Sequence, residues 1–140
     1  MAITKKTARQ YPLNARVDFT YADLGTAITT STILAAIDLP SGATVTSGWL
    51  GVTTAWVGPT AATVDIGDDV DPNRYTSSPL SLKTVGKTAL TFAGVTHPYK
   101  YPAGNAIDLD LVQSVAVSTQ GVGYLEVEYV IDGRENEHQG

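Results

Sequence analysis

Apolar and polar side chains alternate with a period of two along three segments of the chain. These segments are 16–21 (RVDFTY), 106–112 (AIDLDLV) and 123–132 (GYLEVEYVID). The expected inner face of the last segment consists of Leu125, Val127, Tyr129 and Ile131. This alternation is typical of a strand with one buried and one solvated face, so each segment predicts a strand of an antiparallel sheet.

Further strands are predicted where Thr, Val and Ala predominate, at 31–39, 43–57, 60–67, 87–93 and 114–119. Turn residues such as Pro40-Ser41-Gly42 and Asp71-Pro72-Asn73 separate them. About eight short strands without a helical period predict an all-β fold, a single antiparallel β-sandwich or jelly-roll domain. The expected organisation is an extended N-terminal arm (1–14), the sandwich (15–134) and an acidic tail (135–140).

Composition and charge narrow the function classes. The 140 residues include no Cys and carry a net charge of −5, which argues against thiol chemistry and against a broad basic surface for nucleic acid. No apolar run is long enough for a signal peptide or a membrane span, so a soluble, non-secreted protein without membrane partners is expected. The N-terminal segment is nevertheless cationic, because no acidic residue precedes Asp18.

The stretch 64–75 (VDIGDDVDPNRY) most resembles a chemical site. Asp69, Asp71 and Asn73 imitate the first ligands of an EF-hand loop, but Arg74 occupies the glycine position of that loop and Leu80 the position of its bidentate glutamate. The alternative is an irregular calcium site, and its candidate ligands are Asp65, Asp68, Asp69 and Asp71. The favoured interpretation is a strand end followed by a type I turn, with Arg74 neutralising nearby carboxylates.

Other apparent motifs do not predict an enzyme. Gly86-Lys87-Thr88 ends like a phosphate-binding loop, but Ser81 stands where the first glycine belongs and no helix follows. The two histidines, His97 and His138, are not expected to meet, and the aspartates and glutamates of the alternating segments are expected on solvated faces. The prediction is a non-enzymatic protein with no cofactor and no catalytic residues.

Four aromatic residues are candidates for surface contacts. Trp49 and Trp56 are seven positions apart on one predicted strand, so one should enter the core and the other should face outward. Tyr99 and Tyr101 fall on a proline-bounded loop, where their rings would either contact a sugar or a partner, or pack over the end of the sandwich.

Three segments resemble small all-β structural proteins of tailed bacteriophages, and most closely capsid decoration (cement) proteins. They are DLPSGATVTSGWLGVTTAW (38–56), VDIGDDVDPNRYTSS (64–78) and NAIDLDLVQSVAVSTQGVGYLEVEYVIDGR (105–134). The resemblance implies a jelly-roll-type domain, commonly trimeric, at three-fold and quasi-three-fold sites on the outside of the phage head. The implied partner is the major capsid protein, and the implied location is the outer surface of a virion made in the host cytoplasm.

Within this interpretation the cationic arm is expected to dock on the capsid lattice. Its predicted contact residues are Lys5, Lys6, Arg9, Tyr11, Pro12, Leu13 and Arg16. Two alternatives stay open: a virion-surface adsorption or carbohydrate-binding module that uses Tyr99, Tyr101 and one tryptophan, and a tail or head–tail structural component.

Overall fold

The computed structural model describes residues 11–92 and 97–133, and their regular structure consists of β-strands and one 3-10 turn, Tyr21–Leu24. The strands are β1 (Leu13–Thr20), β2 (Thr32–Leu39), β3 (Ala43–Val57), β4 (Ala61–Gly67), β5 (Leu80–Ser81), β6 (Gly86–Ala89), β7 (Lys100–Tyr101), β8 (Asn105–Ser114) and β9 (Gln120–Ile131). None of the helical segments among these described residues has the length and hydropathy needed to cross a membrane.

The strands form two antiparallel sheets with the order of a jelly roll. One sheet has the order β1-β9-β3-β6, with β7 also paired to β3, and the other has the order β2-β8-β4-β5. The first strand thus pairs with the last, the second with the last but one, and β6 and β7 share one strand position beside β3. This arrangement confirms the predicted all-β, antiparallel sandwich or jelly roll.

The core lies between the two sheets and follows the alternation of the sequence. Leu125 and Val127 of β9 are buried as predicted, as are Ile107, Leu109 and Leu111 of β8. Because β9 lies between β1 and β3, the closing strand is an inner strand of its sheet.

Some predicted boundaries were wrong. Residues 115–119 form a loop rather than a strand, because the side chain of Gln113 accepts hydrogen bonds from the backbone N–H and the hydroxyl of Ser118 and closes the chain on itself. The arm was predicted to reach residue 14, but β1 begins at Leu13, which pairs with Tyr129. The predicted strand 87–93 leaves the sheet after Ala89, and its last residue lies outside the described residues.

The strands run between two ends of the sandwich that differ in chemistry. We call one the aspartate end; it consists of residues 40–42, 68–79, 97–104 and 132–133. We call the other the valine end; it consists of residues 21–31, 58–60, 82–85 and 115–119 with the adjoining strand residues Val57 and Val122.

Candidate functional site

The acidic stretch 64–75 is the end of β4 and a tight turn that folds back on it. The backbone N–H groups of Asp68 and Arg74 both donate to the carbonyl oxygen of Asp71, at 3.0 and 3.2 Å. A Cβ at Gly67 would lie 2.1 Å from that same carbonyl oxygen, so only glycine allows the turn to pack this closely. The predicted turn is confirmed.

Asp68 is the centre of a buried polar cluster at this turn. Its carboxylate accepts hydrogen bonds from the backbone N–H groups of Val70 (3.0 Å) and Asp71 (2.8 Å). Arg74 donates through Nε at 2.5 Å and through Nη2 at 3.2 Å, and the Tyr101 hydroxyl donates at 2.8 Å. The Asp68 and Arg74 side chains are 1% and 5% exposed, so this ion pair is buried.

Aromatic rings enclose the ion pair. The guanidinium of Arg74 lies 3.6 Å from the ring centroid of Tyr99, which meets Tyr101 edge to face at 4.9 Å. The hydroxyls of Tyr75 and Tyr101 are 2.6 Å apart, and a ring nitrogen of His97 lies 3.0 Å from the carbonyl oxygen of Arg74. Because β4 and β7 belong to different sheets, the cluster ties the two sheets together at the aspartate end.

The electrostatics of the cluster follow from burial and hydrogen bonding. Burial alone would raise the pKa of Asp68, but the hydrogen bonds from Arg74, the Asp71 backbone and Tyr101 hold that pKa below its usual value of 3.8. The bond to Asp68 raises the pKa of Arg74. Burial raises the pKa of Tyr75 to about 12 and also raises that of Tyr101. All four groups therefore keep a fixed charge state at neutral pH, which suits a structural cross-link and not proton transfer.

Three of the four carboxylates named as calcium candidates, those of Asp65, Asp68 and Asp69, bond different partners. Asp65 accepts a hydrogen bond from the Thr76 hydroxyl (2.8 Å), and Asp69 accepts one from the Asn105 amide (2.7 Å). Within residues 11–92 and 97–133 no three acidic or histidine side chains are grouped so that they could hold a metal ion. The calcium alternative is not supported, because Asp68 is committed to Arg74.

An acidic cavity lies beside the cluster on the outer face of β8. Its volume is about 210 Å³, and its lining consists of Ile33, Asp68, Asp69, Pro72, Asp108 and Asp110. Burial, with a smaller contribution from the fields of Asp69 and Asp68, raises the pKa of Asp108. One carboxylate oxygen of Asp110 is buried without a hydrogen-bond partner in the described part of the chain. The sequence predicted these strand aspartates as solvated, but both are half-buried.

The aromatic surface candidates are largely buried. Trp56 is a core residue that contacts Phe19, whereas Trp49 is half-buried on the outer face of β3, with the Lys87 ammonium 4.0 Å from its ring centroid. One tryptophan in the core and one outside agrees with the odd spacing. Tyr101 is buried, and its hydroxyl bonds Asp68 and Tyr75. Tyr99 is half-buried under Arg74. Trp56 and Tyr101 were therefore wrong as surface contacts, and Tyr99 packs over the end of the sandwich.

The predicted arm residues divide into three groups. Lys5, Lys6 and Arg9 lie outside the described residues, and Tyr11 and Pro12 are exposed. Leu13 and Arg16 belong to β1, not to an arm. Arg16 is engaged within the sheet, because it bonds Asp18 at 3.0 Å and lies 4.0 Å from the ring centroid of Tyr124.

The apparent phosphate-binding motif is a strand. Gly86, Lys87 and Thr88 belong to β6 and pair with Val52, Gly51 and Leu50 of β3. The Lys83 ammonium donates to the carbonyl oxygen of Pro59 at 2.5 Å. Both lysines contact other parts of the fold, Lys83 through Pro59 and Lys87 through the Trp49 ring.

Comparison with known proteins places the fold among phage capsid structures. Neither a protein-family model nor a curated protein matches the chain. A chain of the cyanophage Pam1 capsid asymmetric unit matches with a TM-score of 0.64 and 18% identity, over 94% of this chain and 91% of that one. A chain of the acidic stable capsid structure of Helicobacter pylori bacteriophage KHP30 gives 0.59 and 17%, over 86% and 88%. A chain of the Ralstonia phage GP4 capsid gives 0.56 and 16%, over 94% and 90%. At these identities the comparison shows a shared fold.

Proposed function

We propose that this chain is a non-enzymatic structural protein of a tailed-phage head. It binds the outside of the shell as a homotrimer at three-fold and quasi-three-fold sites and stabilises the capsid lattice. The observation that carries the proposal is the jelly roll shared with chains of three phage capsid structures, over 86–94% of this chain. Fold alone does not define function, so the chemistry of the chain has to agree with it.

The polar cluster agrees with a structural role. Asp68, the central carboxylate of the stretch that most resembles a chemical site, is buried and bonds Arg74, Tyr101 and the turn backbone. A protein that braces a shell benefits from a body that does not deform, and a buried cross-link between sheets serves that need. The same burial removes the Tyr101 ring on which a carbohydrate-binding alternative depended.

The proposed partner is the major capsid protein, and the proposed contact is the N-terminal segment. Lys5, Lys6 and Arg9 would meet acidic residues of the shell, and Tyr11 and Pro12 would add apolar contact. Leu13 and Arg16, which lie on β1, would continue this contact onto the first strand, where the Arg16 side chain is 51% exposed. Three such segments per trimer would convert weak contacts into tight attachment through their high effective concentration.

Co-sedimentation with phage heads assembled without this protein tests the proposal. The purified protein should bind these heads to saturation at a whole number of trimers per three-fold site, and bound heads should resist heating better than bare heads. Removal of residues 1–10 leaves β1 intact, so the truncated protein should keep its circular dichroism spectrum but bind more weakly, and the difference should shrink at high salt.

Two results would contradict these proposals separately. Failure of the full chain to bind heads would overturn the capsid function. Unchanged affinity of the truncated protein would overturn the role of the N-terminal segment and leave the capsid function in place.

A further inference from the structure

Exposed apolar side chains concentrate at the valine end. Among the described residues, the large apolar side chains exposed there are Tyr21, Ile28, Val57, Val85, Val115 and Val122, and those exposed elsewhere are Tyr11, Ile33 and Val70. Scattered exposed apolar residues are ordinary, but a concentration at one end of a domain marks an interaction surface.

The same end is almost free of charge. Residues 24–31, 58–60 and 115–119 contain no charged side chain, although the whole chain carries −5. The charged residues of the valine end are Asp23 and Lys83, which are exposed and of opposite sign, and each bonds nearby backbone: Asp23 accepts from the Thr20 N–H at 2.8 Å, and Lys83 donates to Pro59. Depletion of charge around apolar side chains is what distinguishes the centre of a protein interface from ordinary surface.

The loops of the valine end are fixed to one another by a buried amide. Gln113 donates to the carbonyl oxygens of Ala27 (2.8 Å) and Gly25 (3.3 Å), and its amide oxygen accepts from the Ser118 N–H at 2.9 Å. The Thr119 N–H donates to the Val57 carbonyl oxygen at 2.8 Å, which brings in the β3–β4 loop. A surface already ordered before contact loses little entropy on binding.

Val115 combines a strained backbone conformation with an exposed apolar side chain, and neither stabilises the isolated chain. Its φ is +73°, a left-handed conformation that is costly for a β-branched residue, and its side chain is 75% exposed. Asn or Gly would occupy this backbone conformation with less strain. Exposure of this apolar side chain to water does not stabilise the chain, whereas its burial against another surface would.

We infer that the valine end is the surface through which copies of this chain associate with one another. Electrostatics favours a second copy of this chain as the occupant. Two bodies of charge −5 repel, and the acidic cavity and the aspartate end would oppose each other if they met. The valine end carries one charge of each sign, Asp23 and Lys83, so this largely apolar surface has no net charge and meets its own equivalent without that opposition. The number of copies, three, rests on the proposed capsid function.

Matched asparagine variants test the inference. Val115 and Val70 are both 75% exposed but lie at opposite ends, so Val115→Asn and Val70→Asn make the same chemical change on the same exposed fraction. The mass of each protein is measured by light scattering across a dilution series. The unmodified chain should give a three-chain mass, Val115→Asn and Val57→Asn should raise the dissociation constant at least about tenfold, and Val70→Asn should leave it unchanged.

Asparagine tolerates a positive φ, so Val115→Asn is expected to fold, and its circular dichroism spectrum checks this. A monomeric unmodified chain at every concentration, or three-chain mass retained by both valine-end variants, would overturn the inference. Binding to phage heads separates the two proposals. Variants that keep the three-chain mass but lose head binding would assign the valine end to the shell and not to a second copy. If the valine-end variants dissociate but the unmodified chain never binds heads, the interface is supported and the capsid function is overturned.

Discussion

The loops at the aspartate end are fixed by a buried ion pair, whereas the loops at the valine end are fixed by a neutral amide. Asp68 and Arg74 form the first anchor, and Gln113 forms the second. A buried ion pair needs a full set of hydrogen bonds around it, and Asp68 receives them from the turn backbone and Tyr101. An amide needs fewer partners and adds no net charge. The difference shows how one acidic chain can keep a surface without net charge at one end: the residue that orders that surface is itself uncharged.

The largest expected effect comes from removing the charge of Asp68. Asp68→Asn should lower the free energy of unfolding by about 3–5 kcal/mol, because the guanidinium of Arg74 would remain buried without its counter-charge. Urea unfolding near neutral pH measures the change. Asp69→Asn is the matched control, since Asp69 is an exposed neighbour whose substitution should change stability by no more than about 0.5 kcal/mol.

A double variant separates the charge from the packing. Replacing both partners with apolar residues, Asp68→Leu with Arg74→Met, should cost less than Asp68→Asn alone, because no buried charge is left uncompensated. If Asp68→Asn lies within about 1 kcal/mol of the unmodified chain, the cluster contributes too little to count as the anchor of its end.

Much of the fold was readable in the sequence because local patterns determine it. The predicted bounds of β3, 43–57, agree with the structure, and the alternation in β8 and β9 gave their buried faces. The two-residue strands β5 and β7 are too short to show a period, and they exist only through their pairing with β4 and β3. The segment 114–119 has the composition of a strand, but Gln113 turns it into a loop, and the sequence does not show that bond.

The site could be predicted from the sequence only in part, because some of its contacts join residues that are far apart in the chain. Arg74 follows Asp68 by six positions, so its role as a neutralising cation could be predicted from the turn. Tyr101 is 33 positions from Asp68, and only the meeting of the two sheets brings its hydroxyl to that carboxylate. The valine end was missed because its residues come from four loops far apart in sequence. The signal that was available is the absence of charge in all the segments 24–31, 58–60 and 115–119.

Removing Gln113, the anchor of the valine end, should lower the free energy of unfolding less than removing the charge of Asp68. Gln113→Leu leaves the Ser118 N–H and the Ala27 carbonyl oxygen without their partner, which should cost about 1–3 kcal/mol. Hydrogen exchange should quicken at the Ser118 amide while the Arg74 amide at the other end keeps its protection. Asn105→Ala is the control, because it removes an exposed side-chain amide bond at the aspartate end. A loss of protection spread evenly over both ends would show that Gln113 does not act locally.

One substitution at the valine end, at Val115, should increase the free energy of unfolding instead of lowering it. Val115→Asn should raise the free energy of unfolding by about 1 kcal/mol, because the left-handed conformation at φ +73° is less strained for Asn than for Val. Urea unfolding at the lowest usable protein concentration reduces the contribution of association. Val70→Asn should leave stability within about 0.5 kcal/mol. A destabilised Val115→Asn monomer would mean that the valine side chain supports its own loop.

The smallest expected effect contrasts, through pH, two aspartates that line the acidic cavity, Asp68 and Asp108. The pKa of Asp68 is lowered in the folded chain, so its stabilising contribution is present above the unfolded value near 3.8 and is lost as pH falls through the folded pKa. The pKa of Asp108 is raised, by burial first and then by Asp69 and Asp68, so its ionisation opposes folding as pH rises from about 3.8 through its folded pKa.

Asp108→Asn should therefore stabilise the chain by on the order of 0.5 kcal/mol near pH 7, and this gain should vanish below the unfolded pKa. Unfolding curves from about pH 3 to 7 should show opposite pH dependences for Asp108→Asn and Asp68→Asn, each relative to the unmodified chain. Parallel dependences would mean that the two carboxylates share one environment, and the ion pair would then not set Asp68 apart from the acidic cavity beside it.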